Sequence, residues 1–219
     1  MTRLYLLRHG QVTSHRGDVP ITPAAERRSY EVGRVLADRE PGAIRVLSGE
    51  TRRAIDTAAH LGRGVVDGGG RLVGPDVAFA LRNPDLYVAG VRVNMVSSAD
   101  ALAGQVDGLS PEEVASLGFF PEFFASPDRI GWWLRHDAPP GEGHREVAAR
   151  MRSFATSLMD PVRHQPGVVV AVTHSPLLRA VGLDFLGRDV GEPTWVAGLL
   201  LTLTEDRRIS VEMFDPGTS

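Results

Sequence analysis

The stretch LYLLRHGQV, residues 4–12, decides how this chain is interpreted. Its apolar beginning has the continuous hydrophobic character of a central strand that is covered on both faces of a sheet. The apolar run stops abruptly at Arg8 and His9, and Gly10 follows. Two chemically versatile side chains directly after a buried strand indicate a functional site at the end of that strand.

The composition is that of an ordinary globular protein, with 42% hydrophobic and 23% charged residues among 219. A chain of this length can bury one well-formed core, so we expect a single domain over residues 1–219 with an insertion. The net charge of −3 is too small to predict a partner.

Cysteine is absent, which excludes disulfides, thiolate catalysis and Cys-ligated metal sites. No apolar run reaches membrane-spanning length and no leader-like pattern precedes the first strand, so we expect a cytoplasmic protein.

Strand-like and helical patterns alternate along most of the chain. Five runs predict strands, at residues 4–7, 43–48, 168–173, 197–203 and 208–214. The last two are expected to pair as an edge hairpin. Helical periodicity follows Thr22-Pro23, follows Glu50-Thr51 and recurs over residues 143–160. This order predicts an α/β three-layer sandwich, with a mostly parallel central sheet and helices on both faces.

The stretch at about 83–140 interrupts this alternation with frequent proline and glycine and with the aromatic run FFPEFF, residues 119–124. We interpret it as a partly helical, lid-like insertion over the strand ends. The aromatic run is compatible with a pocket wall, with core, or with the contact of a homodimer, and these alternatives stay open. VVDGGGRLVG, residues 65–74, is interpreted as a tight glycine turn.

Four polar side chains follow strands that we predict to be parallel. Arg8 and His9 follow the first strand, Arg53 comes one helical turn after the second, and His174 follows the third. Ligands of open α/β sheets bind beyond the carboxyl ends of the strands, so we expect these side chains to converge. Two guanidinium groups suit the oxygens of a phosphoryl group, one histidine can attack phosphorus, and a second, protonated, can stabilise the developing charge.

Two further positions are expected to contribute to binding the same anion. Ser175 is interpreted as the N-cap of a helix whose first residue is Pro176, so that the unpaired N–H groups of the helix face the phosphate. Gly10 is expected to let the backbone turn and the phosphate approach closely.

Three segments resemble, in order and context, those that define the histidine phosphatase superfamily, the phosphoglycerate-mutase-like fold. They are LYLLRHGQV (4–12), VLSGETRRAIDTA (46–58) and VVVAVTHSPLLRAV (168–181). An apolar strand that ends in Arg-His-Gly is the most specific of them. The resemblance extends from Leu4 to about Leu203 and is weakest within the insertion.

The resemblance implies a role for each matching residue. His9 would be the nucleophile that becomes phosphorylated, and Arg8 its neighbouring phosphate ligand. The spacing from the serine to the Arg-Ala pair selects Arg53, and His174 would be the second histidine of the phosphate pocket. Gln11 stands where the family often has a glutamate or glutamine beside the pocket.

One position departs from the family pattern. Asn83 stands where family members commonly carry a glutamate that protonates the leaving group, and asparagine cannot shuttle a proton at neutral pH. Asp85 is the nearest carboxylate and our first candidate for the missing acid, with Glu50 and Glu142 as others.

We therefore expect a phosphoric monoester hydrolase that forms a phosphohistidine at His9 and acts on a small phosphorylated substrate, with no nucleic-acid or membrane partner. No metal or other cofactor is expected, because the arginines and the helix terminus already supply positive charge. Two alternatives stay open. A non-catalytic phosphoryl-binding relative is supported by Asn83, and a phosphoglycerate-mutase-type phosphotransferase is disfavoured by the aromatic character of the insertion.

Overall fold

The computed structural model describes residues 1–14, 17–160 and 167–217. Its strands are β1 (Thr2–Arg8), β2 (Ala43–Ser48), β3 (Arg71–Val77), β4 (Leu86–Val88), β5 (Val91–Val93), β6 (Val168–Thr173), β7 (Gly198–Leu203) and β8 (Ile209–Phe214). Its helices are α1 (Pro23–Arg39), α2 (Arg52–Asp67), α3 (Ala99–Ala103), α4 (Pro111–Val114), α5 (Phe120–Ala125), α6 (Arg129–Arg135), α7 (His144–Ser157) and α8 (Ser175–Leu186). A short 3₁₀ helix spans Phe79–Leu81.

Six strands form the central sheet in the order β3-β2-β6-β1-β7-β8. Strands β3, β2, β6 and β1 run parallel, whereas β7 is antiparallel to β1 and pairs with β8 as an edge hairpin. All five predicted strands are present, and the expected α/β fold with a mostly parallel sheet is confirmed.

Successive side chains of β1 point to opposite faces of the sheet, and each face is covered. Leu4 and Leu6 pack in one core with α7, α8 and residues of the insertion. Tyr5 and Leu7 pack in a second core with α1 and α2. This double coverage explains why β1 and β6 have continuous apolar sequences.

The stretch at 83–140 contains the β4–β5 hairpin and helices α3 to α6. Its aromatic side chains belong largely to the core: Phe120, Phe123 and Trp133 are buried and share a hydrophobic cluster with one face of the sheet. The indole N–H of Trp133 donates a hydrogen bond of 3.1 Å to the carbonyl of Glu142, next to α7. The division into one domain with an insertion at about 83–140 remains a prediction.

Two features differ from the sequence prediction. Strand β3 was not predicted, because it lies at the edge of the sheet, has a largely exposed sequence and contains Gly74 and Pro75. The glycine turn expected before it is present at residues 68–70. The N-cap of α8 is His174 and the helix begins at Ser175, so the predicted N-cap was one residue too late.

No helix within residues 1–14, 17–160 and 167–217 is long and apolar enough to cross a membrane.

Candidate active site

The register of the central strands places the two predicted histidines side by side. Arg8 pairs with Thr173 at the carboxyl ends of β1 and β6, and the backbone N–H of His9 donates a 2.9 Å hydrogen bond to the Thr173 carbonyl. The next residues, His9 and His174, therefore leave the sheet together. Their ring centroids lie 5.3 Å apart, with the planes inclined by 63°. Both side chains are buried, at 4% and 2% exposure.

The imidazole of His9 is oriented by the backbone of the next residue. Its Nδ1 lies 2.8 Å from the carbonyl oxygen of Gly10. Because a carbonyl oxygen can only accept a hydrogen bond, this contact requires the proton on Nδ1 and leaves the lone pair of a neutral ring on Nε2. The N–H of Gly10 donates in turn to Thr57 Oγ1 at 2.9 Å, so α2 holds this turn in place. The arrangement prepares Nε2 of His9 for a nucleophilic role.

The guanidinium of Arg8 is nearly buried beside the histidines. Nη1 donates to the carbonyl of Pro193 at 2.7 Å, and Nη2 lies 2.7 Å from Oε1 of Glu192. The centre of the group stands 3.4 Å from the ring centroid of Trp195, a cation–π contact. Burial lowers the pKa of Arg8, and the Glu192 carboxylate opposes that shift.

Arg53 lies in the first turn of α2, directly after the carboxyl end of β2. Burial lowers its pKa, and Asp18 opposes that shift. Its Nε is buried and has no hydrogen-bond partner among the described residues. The neighbouring Arg52 is exposed and lies 3.8 Å from Asp56. Arg53 is therefore the member of the arginine pair that is available to an anion.

His174 and Ser175 begin α8 on the other side of the site. The side chain of Ser175 does not cap the helix, because its Oγ donates a 2.5 Å hydrogen bond to Oε2 of Glu192. The backbone at Gly49 approaches this position closely. A Cβ at Gly49 would lie 2.8 Å from the carbonyl oxygen of Leu81 and 3.4 Å from Nε2 of His174. The glycine of the Ser-Gly-Glu segment therefore leaves room mainly for the backbone of Leu81, next to the second histidine.

These side chains line one cavity of about 460 Å³. One part of its lining is the set of polar residues Arg8, His9, Arg53, Asn83, His174 and Ser175. Another part comes from the insertion and is largely apolar, with Met95, Val96, Phe123, Pro127 and Ile130. A phosphoryl group at the polar part would leave the rest of a substrate against the apolar part.

Two residues that were predicted to contribute to phosphate binding, Gly10 and Gln11, are not part of the cavity lining. Gly10 does not line the cavity, and its N–H is taken by Thr57. A Cβ on Gly10 would lie 2.9 Å from Cβ of Ala25, so the close approach of α1 gives a packing reason for glycine here. Gln11 is exposed and is not part of the cavity lining.

The structure also argues against Asp85 as the missing acid. Its carboxylate forms ion pairs with Arg82, at 2.5 Å, and with Arg92. These two arginines hold the pKa of Asp85 below its usual range even though burial acts in the opposite direction. Asp85 does not line the cavity, whereas Asn83 does and is only 5% exposed. A deprotonated carboxylate outside the cavity is unsuited to protonate a leaving group.

The two other carboxylates considered from the sequence are paired with arginine as well. Glu50 lies 2.9 Å from Nη2 of Arg92, and Glu142 accepts two hydrogen bonds from Arg150, at 3.0 and 2.9 Å. Neither of them lines the cavity.

Sequence reasoning missed Glu192, Pro193 and Trp195, all of which contact Arg8. They lie in the loop that enters β7. Because β7 runs antiparallel to β1, its first residue pairs with Leu7 near the carboxyl end of β1. An antiparallel assignment of β7 would have directed attention to the loop before it.

Within the described parts of the chain, no group of three or more His, Asp or Glu side chains is arranged to hold a metal ion.

The fold and the paired histidines and arginines have the form of a phosphoryl-transfer site, and comparison with known proteins agrees. The family model described as histidine phosphatase superfamily (branch 1) matches residues 4–66 and 102–205. This chain belongs to that superfamily. A comparison with curated proteins found no match.

Solved structures of similar fold include phosphatases and a mutase. A mycobacterial glucosyl-3-phosphoglycerate phosphatase in complex with VO3 superposes with a TM-score of 0.62 at 22% identity, covering 98% of each chain. A phosphoglycerate mutase from Bacillus anthracis gives 0.58 at 18% identity, covering 97% of this chain and 92% of its own. A mutant phosphoserine phosphatase from Entamoeba histolytica, bound to phosphoserine, gives 0.60 at 14% identity, covering 98% and 96%. At these identities the likeness establishes the shared fold, and the superfamily places the chain among phosphoryl-transfer enzymes.

Proposed function

We propose that this protein is a phosphatase that hydrolyses a phosphomonoester through a phosphohistidine intermediate at His9. The observation that carries the proposal is the orientation of His9. Its Nδ1 faces a carbonyl oxygen at 2.8 Å, so its Nε2 carries the lone pair, in a cavity that Arg53 and His174 also line. A binding site alone has no need of an oriented nucleophile.

The reaction then follows from the positions of the side chains. Nε2 of His9 attacks phosphorus, the N–P bond forms, and the bond to the leaving oxygen breaks. Arg8 and Arg53 hold the phosphoryl oxygens through their guanidinium donors, and the positive end of the α8 dipole faces the same charge. In the second step water attacks phosphorus and releases phosphate from His9.

The apolar part of the lining supports a substrate whose alcohol portion is at least partly hydrophobic. Five apolar side chains come from the insertion, together with Ser97, Asp128 and the cationic Arg129. A mutase has to retain a phosphorylated, strongly anionic intermediate, whereas this part of the lining offers Arg129 and an Arg179 that Asp128 and Asp189 already pair. Hydrolysis is therefore favoured over transfer between two positions of one substrate.

The non-catalytic alternative keeps one supporting observation, since Asn83 lines the cavity where the family acid is expected. The chemistry proposed at the cavity uses no metal ion. The cytoplasmic location expected from the sequence stays a prediction.

Hydrolysis of an activated aryl phosphate in the presence of EDTA tests the proposal. We expect the wild type to be active, His9→Ala to lose at least about 10³-fold because the nucleophile is gone, and Arg52→Ala, which alters an exposed arginine beside the site, to match the wild type. If the wild type is inert and Asn83→Glu becomes active, the chain is a phosphoryl-binding relative that lacks its proton donor. Activity that His9→Ala retains would refute the phosphohistidine route.

A further inference from the structure

Two carboxylates are found among the described residues that line the cavity, Asp128 and Glu192. The carboxylate of Asp128 is already bound within the protein. It pairs with Arg179 through two contacts of 2.7 Å, and it caps α6 by accepting from the N–H of Gly131 at 2.9 Å. The hydrogen bonds from Arg179 are the main reason that the pKa of Asp128 is lowered to about 2. Asp128 is therefore ionised and held in place, and it cannot deliver a proton.

Glu192 has a different environment. Its Oε1 lies 2.7 Å from Nη2 of Arg8, and its Oε2 accepts from Ser175 Oγ at 2.5 Å. Nη1 of Arg179 is more distant, at 3.9 Å. About half of the Glu192 side chain is exposed to the cavity and solvent. One carboxylate thus bridges two groups that are expected to bind the phosphate.

We propose that Glu192 is the proton donor and acceptor of the reaction, in place of the carboxylate that Asn83 cannot supply. This inference rests on the proposed function. Glu192 belongs to the loop before β7, and β7 flanks β1 on the side away from β6. No sequence signature selects Glu192.

A phosphate dianion that binds Arg8 has to share that guanidinium with the Glu192 carboxylate. Two negative groups around one cation repel each other, and a proton held between them relieves the repulsion. A proton taken up from solvent together with the substrate therefore lies between the Glu192 carboxylate and the phosphate, where the leaving group needs it. Ser175 can follow the change, because its hydroxyl both donates and accepts.

The proton balance closes over the two steps. When the His9–phosphorus bond forms, the bond from phosphorus to the leaving oxygen breaks and that oxygen takes the proton of Glu192. When water attacks the phosphohistidine, the Glu192 carboxylate takes one water proton, the N–P bond breaks, and hydrogen phosphate leaves. The proton is then on Glu192, as in the substrate complex, and it passes to solvent as phosphate leaves and the carboxylate pairs with Arg8 again.

The dependence on the leaving group separates proton transfer from a structural role. Dinitrophenolate departs without protonation, whereas an alkoxide does not. We expect Glu192→Gln to slow single-turnover phosphorylation of His9 by phenylethyl phosphate by about 10²–10⁴-fold, and by dinitrophenyl phosphate by less than about 5-fold. With dinitrophenyl phosphate the variant should also accumulate alkali-stable, acid-labile phosphoenzyme, because water is no longer deprotonated.

Asp189→Asn is the matched control. Asp189 belongs to the same loop and pairs with Arg179 at 2.5 Å, not with Arg8. Asp189→Asn should change the rate of His9 phosphorylation by the same factor for both substrates. If Glu192→Gln also slows both substrates equally, Glu192 only positions Arg8, and if it speeds both, Glu192 only competes with phosphate; either result overturns the inference. A wild type that forms no phosphohistidine with either substrate overturns the proposed function itself.

Discussion

Replacing Gly10 by alanine tests whether this glycine is required by packing or by phosphate. The new Cβ would lie 2.9 Å from Cβ of Ala25 and 3.4 Å from both Ile21 Cγ2 and Thr57 Oγ1. Carbon atoms in contact normally lie about 3.5–4.0 Å apart, so α1 would have to move by more than about half an ångström. Overpacking of this kind typically costs about 1–3 kcal/mol. We expect Gly10→Ala to lower the free energy of unfolding by that amount in urea titrations.

The second substitution Ala25→Gly removes the atom that the new methyl group meets. Alone, it should destabilise the protein by about 0.5–1 kcal/mol through helix propensity, with a further loss from the buried methyl group. Together with Gly10→Ala it should destabilise by about 1–2 kcal/mol less than the sum of the two, because the steric conflict is gone. A coupling energy within about 0.5 kcal/mol of zero would refute the packing argument. If stability recovers in the double variant but aryl phosphate hydrolysis does not, Gly10 acts in phosphate binding after all.

Three further predictions concern residues that line the cavity, Asp128, Arg53 and Ile130. The shift in the pKa of Asp128 from 3.8 to about 2 stabilises the folded state above the unfolded pKa, and the stabilisation is lost as the pH falls through about 4 to 2. Since Asp128 is half exposed, we expect Asp128→Asn to cost only about 1 kcal/mol at pH 7 and progressively less below pH 4 in urea titrations; an equal cost at every pH would contradict this. Arg53→Lys should lower kcat/KM about 10- to 100-fold by removing a forked, charge-assisted contact, whereas Arg52→Lys at the exposed neighbour should leave kcat/KM unchanged. Ile130→Ser should weaken the binding of aryl phosphates and leave competitive inhibition by inorganic phosphate unaltered, and a parallel loss of both would show that Ile130 does not contact the alcohol portion.

Most of the sheet could be predicted because its central strands are covered on both faces. Continuous apolar runs of the kind found in β1 and β6 are typical of strands that are buried on both faces. Strand β3 escaped because its side chains are mostly exposed and its sequence contains Gly74 and Pro75. A strand at the edge of a sheet has little need of apolar side chains, so its sequence resembles a loop.

The four residues expected to converge lie close together because parallel strands bring their carboxyl ends to one edge. The same rule gives no access to Glu192, since it precedes an antiparallel strand whose amino end reaches that edge. Sequence proximity to Asn83 suggested Asp85, but Asp85 pairs with Arg82, three residues before it, and with Arg92, which the β4–β5 hairpin brings back to it. Ion-pair partners of this kind become visible only in three dimensions.

The most direct test of the account is to look for the phosphorylated histidine itself. Wild-type protein is mixed with dinitrophenyl phosphate in EDTA, quenched in alkali within one turnover, digested, and the phosphopeptides are mapped by mass spectrometry. We expect a single acid-labile phosphoryl group on His9, absent from His9→Ala and present in Arg52→Ala. Turnover without any phosphohistidine, or a phosphoryl group on His174 instead, would contradict it.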